Sequence, residues 1–553
     1  MQFEAWNKAL GYVQSGQFQD ACQICRTILA AQPNNAQVLK LLASLLIRLE
    51  SYQELAKTLQ KIAELEPSPD VHFNLGSAYA FLNHWESAVA SFAHAIQLDA
   101  DRPEFYLASG RALRAIGRLD DSIKMLLEAI RKSPDSSLAY SNLGESFSAK
   151  EMHKEAIASF EAAILRDPNA TSAFQNLAWS YHFDGQYEKS LSAAKRATLL
   201  DPNSEMSQTY LGNAFADLGD LNNAVQCYER AIQLNAHCAL AHSNLGKTLL
   251  RQGDFERGWR EYEWRWQAEG VTPPEKRFAK PVWNGSDPNR KTVLLYGEQG
   301  FGDQIHFFRY ACVVKSLGAR VVVQVHPRLI RLLKSGSGFD AIIGRNDPPP
   351  DFDVQASLMS VPTILHSTLE TIPSEHSYLF AEPALVQKWQ NRLDGRDGLR
   401  VGIAWQGSPA FKGDRFRSFP LSQFRTLMDV ERVRVISLQV GHGKDQLATC
   451  DFADRIEDYS SELDIGNDAF VDTAALIKNL DLVISCDSAV GHLSGALGVP
   501  TWLLLNHDAE WRWFIDRDDS PWYPSVRLFR QTRLMDWGTV FAKVRDALRS
   551  FGN

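Results

Sequence analysis

The chain has 553 residues, of which 45% are hydrophobic and 22% charged, with 58 basic and 66 acidic side chains. Its length predicts three or four domains, and its net charge of −8 argues against a general nucleic-acid binder. The sequence contains no run of about 18 apolar residues, so no membrane span is expected.

The amino terminus and the cysteines predict a cytoplasmic protein. The first residues, Met-Gln-Phe-Glu-Ala-Trp-Asn-Lys, lack the basic and then apolar pattern of a secretory signal peptide. Seven cysteines are scattered along the chain, and an odd, dispersed set fits reduced cytosolic thiols. Neither histidines and cysteines nor carboxylates cluster in the sequence in a way that suggests a metal site.

A 34-residue period governs the first half of the chain. Small residues recur at that spacing, at Gly76, Gly110, Gly144, Ala178, Gly212 and Gly246. The period and the residue types resemble the tetratricopeptide repeat, in which stacked helix pairs bury a continuous core. Together with two looser units at the amino terminus, the pattern predicts about eight repeats over residues 1–268.

A groove that binds extended peptide is expected along such an array. Two residues before the recurring small position, four of the six repeats carry asparagine, whereas Ala108 and Tyr210 take the other two places. The asparagines are Asn74, Asn142, Asn176 and Asn244. The arrangement resembles O-linked N-acetylglucosamine transferases, in which an asparagine ladder holds the acceptor backbone, and amides suit that task because they both donate and accept. Packing or solvation of the groove is the alternative.

After a proline-rich linker over residues 269–290, strands alternate with helices. Strands are predicted at 292–296, 320–326, 341–344 and near 353–356, and then, beyond a polar break at 394–398, at 400–405, 433–439, 482–484 and 501–505. The alternation predicts parallel sheets with crossover helices. Two Rossmann-like halves follow, residues 291–396 and 397–553, with a cleft between them at the carboxyl ends of the strands.

The first of three polar loops follows strand 292–296. It reads Gly-Phe-Gly-Asp-Gln-Ile-His over residues 300–306 and places Asp303 and His306 one helical turn apart, so that both can face one cleft. The loop does not complete Gly-x-Gly-x-x-Gly, which disfavours dinucleotide binding. Capping of the following helix is the structural alternative for Asp303.

The second loop, residues 406–420, follows strand 400–405. It contains Ser408 and three basic residues within six positions, among them Lys412 and Arg417, in an otherwise acidic chain. Such a loop suits a diphosphate, because charge-assisted hydrogen bonds to phosphate oxygens are strong. A solvated basic loop is the alternative. Asp445, which follows the next strand, is a weaker candidate for binding a ribose.

The third loop lies between the apolar runs 482–484 and 501–505. Two N-cap residues there open a small-residue helix that Gly498 and Pro500 end. The N–H groups and positive partial charge of such a helix N-terminus suit a phosphate. The candidate phosphate-binding residues are Asp487, Ser488, Ala489 and His492.

The three loops together resemble those of GT-B glycosyltransferases, and most closely the bacterial heptosyltransferase family. Residues 302–306 are similar to that family's Gly-Asp-x-x-His, whose Asp is the catalytic base. Residues 487–492 are similar to its Asp-Thr-Gly-x-x-His, which binds the nucleotide and diphosphate of the donor. Arg417-Ser-Phe-Pro resembles the Lys-x-x-Pro of the donor site, with Arg where Lys is usual, so Lys412 competes for that role.

The resemblance covers about residues 292–550 and implies an α plus α/β protein, in which a tetratricopeptide-repeat solenoid precedes a GT-B pair of Rossmann-like domains. A final helix near residues 536–550 would cross back to the first half. The implied reaction is an inverting transfer from a nucleotide sugar, which is the donor substrate, without a cofactor or obligatory metal. Asp303 would take the acceptor proton, while His306 orients Asp303 or His492 binds the phosphate.

The combination of repeats with this region looks like bacterial repeat-containing glycosyltransferases that modify proteins. The acceptor would then be a protein held by the repeats, such as a flagellin or another surface protein. Two other functions stay open: a glycosyltransferase that acts on lipid or polysaccharide, and a non-catalytic scaffold whose α/β half has degenerated. The aromatic-rich stretch 511–523 either covers the donor base or packs in the core.

Overall fold

The computed structural model of the protein describes residues 2–268, 271–411 and 413–551, and Lys412 lies outside them. On the basis of its backbone contacts, the chain divides into two compact units, Met1–Asn203 and Ser204–Asn553. Each unit has apolar clusters of its own, with aliphatic residues of the first repeats in one and the aromatic-rich α/β core in the other.

The first unit is an array of helix pairs, as the 34-residue period predicts. Several helices begin at residues whose side chains cap them: the Ser68 and Ser136 hydroxyls each accept from a backbone N–H three residues later. The helices are α1 Gln2–Gln14, α2 Phe18–Ala31, α3 Ala36–Arg48, α4 Tyr52–Leu65, α5 Pro69–Phe81, α6 Trp85–Leu98, α7 Pro103–Ala115, α8 Leu119–Lys132, α9 Ser137–Ala149, α10 His153–Arg166, α11 Thr171–Asp184 and α12 Tyr187–Leu200.

The recurring small residue marks the place where the two helices of a repeat approach each other. A Cβ atom added at Gly144 would lie 2.6 Å from the Phe160 ring, and Gly76 and Gly212 meet an aromatic ring in the same way. In one repeat Ala178 takes the place of the glycine. The residue that corresponds to Phe160 in that repeat is Ala194, which is not aromatic. Glycine is therefore needed at these positions because the side chain packed against it is large.

Gly144→Ala is expected to lower the free energy of unfolding by about 1–3 kcal/mol, because the added methyl group overpacks against the buried Phe160 ring. Gly11 is the matched control, since it lies in α1 with nothing within 4 Å of an added Cβ. Gly11→Ala should raise stability by about 0.5–1 kcal/mol. Chemical denaturation measures both, and equal effects at the two glycines would contradict the packing account.

The second unit opens with two further helix pairs, which pack on an α/β region. They are α13 Glu205–Asp217, α14 Leu221–Leu234, α15 Ala239–Gln252 and α16 Phe255–Tyr262. Arg251 pairs with Asp508, and the Trp259 indole N–H donates to the Ser367 carbonyl oxygen at 3.0 Å. The compact unit thus begins inside the repeat array, at Ser204, whereas the sequence places the domain boundary near residue 268.

The α/β region contains short helices and ten strands among the described residues. The helices are α17 Pro274–Arg277, α18 Phe301–Phe307, α19 Tyr310–Ser316, α20 Ile330–Leu333, α21 Val361–Ile364, α22 Pro383–Leu393, α23 Asp414–Arg417, α24 Arg425–Met428, α25 Gln446–Thr449, α26 Val471–Ile477, α27 Ala489–Ala496 and α28 Trp537–Ser550. The strands are β1 Thr292–Tyr296, β2 Arg320–Val325, β3 Ala341–Gly344, β4 Val354–Ser357, β5 Leu399–Ala404, β6 Val433–Ser437, β7 Ile456–Asp458, β8 Leu482–Cys486, β9 Thr501–Leu505 and β10 Val526–Arg530.

Two parallel sheets organise this region, which confirms the predicted parallel α/β content. Their strand orders are β3-β2-β1-β4 and β10-β9-β8-β5-β6-β7, and the strands of every named pair run parallel. In each sheet the chain starts at a central strand, winds outward in one direction, and then returns to wind in the other. Ligands of such sheets bind beyond the carboxyl ends of the strands where the direction reverses, here between β1 and β4 and between β5 and β8.

The last helix differs from the expectation that it crosses back to the first half. Its apolar face packs with residues of the second sheet, and the Phe541 ring lies 5.2 Å from that of Phe419. An amphipathic pattern shows that one face is buried but not what covers it. Instead, α22, which the sequence assigns to the first half, packs on α26, where the Trp389 indole N–H donates to Asp472 at 3.0 Å.

Candidate functional site

A cleft of about 850 Å³ lies at the carboxyl ends of the two sheets in the second unit. Its walls come from residues 299–303 after β1, 406–411 after β5, 438–442 after β6 and 487–492 after β8. The structure therefore brings together the three loops that the sequence indicates. The position beyond the reversal points of two parallel sheets is where a ligand of this architecture is expected.

Asp303 lines this cleft from the third position of α18. Its Oδ2 accepts the Gly300 backbone N–H at 3.1 Å, so the carboxylate caps the helix. Its Oδ1 accepts from Arg512 Nη2 at 2.5 Å. Capping and exposure to a ligand are compatible here, because each carboxylate oxygen can accept more than one hydrogen bond.

Arg512 is a site residue that sequence reasoning missed. It is 4% exposed, lines the cleft and pairs with two carboxylates, Asp303 and, at 2.6 Å, Glu510. It stands in the aromatic-rich stretch 511–523, whose Trp and Tyr rings are buried. Those rings therefore pack in the core, while the charged residues between them reach the cleft. The available signal was an arginine between two tryptophans soon after a strand end.

The cleft carries more negative charge than its basic loop suggests. Burial raises the pKa of Glu510, and the nearby Asp487 and Asp303 carboxylates raise it further, against the opposing effect of Arg512. Burial likewise raises the pKa of Asp487, which Arg417 and Arg512 partly offset. The two arginines thus oppose the effect of burial on the pKa of these carboxylates.

His492 and His306 are joined through one tyrosine hydroxyl. The Tyr523 oxygen lies 2.9 Å from Nδ1 of each ring. The hydroxyl also lies 3.5 Å from that of Tyr378, so its single proton can go to one imidazole or to Tyr378, and its oxygen can accept from either ring. Burial and, next, neighbouring arginines lower the pKa of both histidines well below its ordinary value, so both rings are neutral at pH 7.

The surroundings of the two rings decide which one donates. His306 Nε2 is buried and without a hydrogen-bond partner in the described structure, and an unpaired lone pair is less costly there than an unpaired N–H group. His306 is therefore assigned its proton on Nδ1, from which it donates to the Tyr523 hydroxyl. His492 Nε2 lies 4.0 Å from Asp487 Oδ1 in the cleft wall.

His306 itself lies behind the cleft, and its ring nitrogens do not contact Asp303. The prediction that His306 orients Asp303 is therefore wrong. Residues one helical turn apart share a face only approximately, and here the burial of an imidazole against Trp522 at 4.6 Å takes the histidine inward. Arg512 holds Asp303 instead.

The first turn of α27 also lines the cleft, next to the loop that carries Asp303. Ser488 takes the N-cap position, but its hydroxyl makes no capping bond and lies 3.3 Å from that of Ser485. The N–H groups of the first turn consequently have no side-chain acceptor from the N-cap residue. Ala489 and Val490 line the cleft beside it, and an added Cβ at Gly302 would lie 2.9 Å from the His492 ring, so the two loops meet closely.

The basic loop contributes Ser408 and Arg417 to the cleft wall. Arg417 donates through Nε to Asp414 at 3.0 Å and lies 4.4 Å from the centre of the Phe411 ring. Lys412, the competing phosphate ligand, lies outside the described residues. Asp445 is not among the described residues that line the cleft, so its position does not favour contact with a donor.

The four asparagines of the repeats do not share one environment. Asn74 is exposed, whereas Asn142 is buried and donates to a carbonyl oxygen of its own helix at 2.8 Å. Asn176 donates to Glu145 at 3.3 Å, and Asn244 donates to another asparagine at 2.8 Å. A uniform asparagine ladder is therefore absent from the described helices, although the Asn74 amide is open to a ligand.

Within the described residues, no helix combines the length and the apolar character that a membrane crossing needs. Nor does that part of the chain bring together three or more His, Cys, Asp or Glu side chains in a way that could hold a metal ion.

Comparison with a curated protein gives one relative. The chain is 27% identical over 315 residues to "Protein FlbA" of Caulobacter vibrioides. The matched region covers 53% of this chain and 52% of that protein. The chain thus spans about half the length of this curated relative.

Two solved structures match part of the chain. The MamA protein is 20% identical and covers 31% of this chain and 93% of its own, with a TM-score of 0.28. A tetratricopeptide repeat protein from Parabacteroides merdae is 13% identical and covers 45% of this chain and 98% of its own, with a TM-score of 0.38.

Family models for the tetratricopeptide repeat match residues 73–137, 138–170, 171–204 and 212–253. The matched segments coincide with helix pairs that the structure places from α5 to α15. The repeats in this part of the chain are therefore tetratricopeptide repeats.

Proposed function

We propose that the protein is an inverting glycosyltransferase, which moves a sugar from a nucleotide-sugar donor to a protein acceptor. The observation that carries the proposal is the meeting of loops from both parallel sheets in one cleft, whose lining contains both Asp303 and groups suited to binding an anion. In this proposal the two sheets are the two halves of a GT-B fold.

The donor's diphosphate would bind against α27. Two kinds of N–H donor line that region, the Arg417 guanidinium and the first turn of α27, and the His492 ring lies beside them. As the bond between the sugar carbon and the diphosphate oxygen breaks, negative charge grows on the leaving group, and preorganised donors stabilise it. The arginine and the helix N-terminus suit a diphosphate in this role.

Asp303 would act as the general base. The acceptor hydroxyl attacks the sugar carbon from the side opposite the leaving diphosphate, and its proton passes to the carboxylate. The ion pair with Arg512 and the hydrogen bond from Gly300 hold that carboxylate in the cleft wall. Attack from the opposite side inverts the sugar configuration.

A protein acceptor is favoured by the repeats. Stacked tetratricopeptide repeats present extended surfaces of the kind that bind peptide segments. The last repeats belong to the same compact unit as the cleft and are fixed to it by buried polar contacts, including Arg265 with Glu298 at 2.7 Å. A segment bound by those repeats would be held by the same compact unit that contains Asp303.

Nucleotide binding tests the proposal first. Nucleoside diphosphates are expected to raise the melting temperature of the protein in a concentration-dependent way, and a monophosphate should do so less. Arg417→Met should weaken diphosphate binding by about 10- to 100-fold, because it removes a charge-assisted hydrogen bond. A thermal-shift screen of UDP, GDP, ADP and CMP measures both effects.

The matched control is Arg392→Met, which removes an exposed arginine that pairs with Glu462 away from the cleft. It should leave the nucleotide-induced shift unchanged. If no nucleotide or nucleotide sugar raises the melting temperature, the α/β unit is not a donor-binding domain and the proposed function is lost.

A further inference from the structure

An apolar pocket of about 510 Å³ opens in the first unit between α5, α6 and α7. Aromatic side chains form much of its wall: Phe73, Phe81, Trp85 and Phe92. Phe81 is 66% exposed, and its ring stacks on Tyr52 with the centroids 4.2 Å apart. An aromatic ring that is held in place and yet exposed at the rim of an apolar pocket marks a surface suited to binding.

The pocket lies where the asparagine pattern is interrupted. Ala108 occupies the place that asparagine takes in the repeats before and after it, at Asn74 and Asn142. Other residues of the wall are also alanines, namely Ala80, Ala112 and Ala115. An asparagine at position 108 would put a polar amide into this space, so the alanine keeps the pocket both open and apolar.

The charge around the pocket has one sign. Its charged lining residues are Arg111 and Arg114, and the described lining contains no carboxylate. Arg114 donates to Glu145 at 2.5 Å, which neutralises it, while its Nε is buried without a hydrogen-bond partner. Arg111 is exposed at the rim. The pocket therefore offers apolar contact and, beside it, a cation to a ligand that carries negative charge.

We propose that this pocket binds an extended segment of a partner protein through one large apolar side chain, with a neighbouring Asp or Glu paired to Arg111. The aromatic walls would bury the apolar side chain, and the arginine selects the acidic neighbour. A peptide with a basic neighbour would face like charge and bind less well. The inference concerns recognition by the repeats and does not depend on sugar transfer.

Peptide selection on the full chain tests this inference. A random dodecapeptide library displayed on phage is panned against the wild-type protein and against Ala108→Leu, Arg111→Glu and Lys124→Glu. The wild type should enrich Phe, Leu or Trp next to Asp or Glu. Arg111→Glu should exchange the acidic neighbour for Lys or Arg. Lys124 is the matched control, because its side chain is 71% exposed on α8 and outside the pocket.

Ala108→Leu fills the pocket and should weaken binding of the enriched peptides by about tenfold or more, measured by fluorescence polarisation. Phe81→Ser supplies a second test on an exposed side chain, whose removal the fold tolerates better. Circular dichroism melting shows whether each variant is folded.

Four results would overturn the inference. They are the absence of any enrichment, enrichment without an apolar–acidic pair, the same peptides on wild type and Arg111→Glu, and unchanged affinity in both pocket variants. Sedimentation adds a fifth: a wild-type dimer that Ala108→Leu makes monomeric would show that the occupant is a second copy of the chain.

Discussion

Asp303→Asn is expected to lower the rate of sugar transfer by about 10²- to 10⁴-fold, because an amide cannot take the proton of the acceptor hydroxyl. The change keeps the size of the side chain and one oxygen that can accept from Gly300 or Arg512. Nucleotide binding depends on other residues, so the diphosphate-induced rise in melting temperature should persist. The loss should therefore fall on kcat, measured with the nucleotide sugar that the thermal-shift screen selects.

Asp429→Asn is the control for this change, since Asp429 is 77% exposed and lies outside the cleft. It should leave the rate unchanged. A second carboxylate makes the test more specific: Glu510 shares Arg512 with Asp303 and also lines the cleft. Full activity in Asp303→Asn would show that Asp303 is not the general base. A loss of activity in Glu510→Gln would then assign that role to Glu510.

The sequence predicts features that depend on local rules. The 34-residue period is visible because most of the small residues must accommodate a side chain in the second helix of their own repeat, as Gly144 does for Phe160. Strands β1, β3 and β9 appear at their predicted bounds, since each is a short segment of mostly apolar residues. Such patterns need no knowledge of distant contacts.

Features that depend on distant partners were not predictable in the same way. Arg512 and Asp303 are 209 residues apart in sequence, and neither neighbourhood indicates that the two will pair. The short strand β7 and the last strand β10 were not predicted from the sequence. Strand β7, Ile456–Asp458, has only three residues, and its pairing with β6 defines it more than its composition does. His306 shows the limit of helical spacing, because packing turned its ring inward.

Arg512→Met should destabilise the second unit by about 3–5 kcal/mol, the typical cost of leaving a buried charge without its partner. Methionine keeps much of the volume of the side chain, so the loss reports charge more than packing. Asp303 and Glu510 would both lose their cation in a site that already holds Asp487. Urea denaturation followed by tryptophan fluorescence measures it, since Trp511 and Trp513 flank the substitution and are buried.

The double variant Arg512→Met with Glu510→Gln separates charge from packing. It removes one of the carboxylates that the single variant leaves unpaired, so it should be more stable than Arg512→Met alone. The pH dependence has a definite sign. Burial raises the pKa of Glu510, so the folded state binds more protons than the unfolded one, and stability falls as the pH rises through the range between the two pKa values.

The fall of stability with rising pH should be steeper in Arg512→Met than in the wild type, because the cation that lowers the pKa of Glu510 is gone. It should be shallower in the double variant than in Arg512→Met, because the double variant lacks the Glu510 carboxylate. A loss of stability that is the same in both variants and independent of pH would show that Arg512 acts through packing. A loss that acid relieves would show that the cleft depends on this arginine to keep its carboxylates charged, which a general base requires.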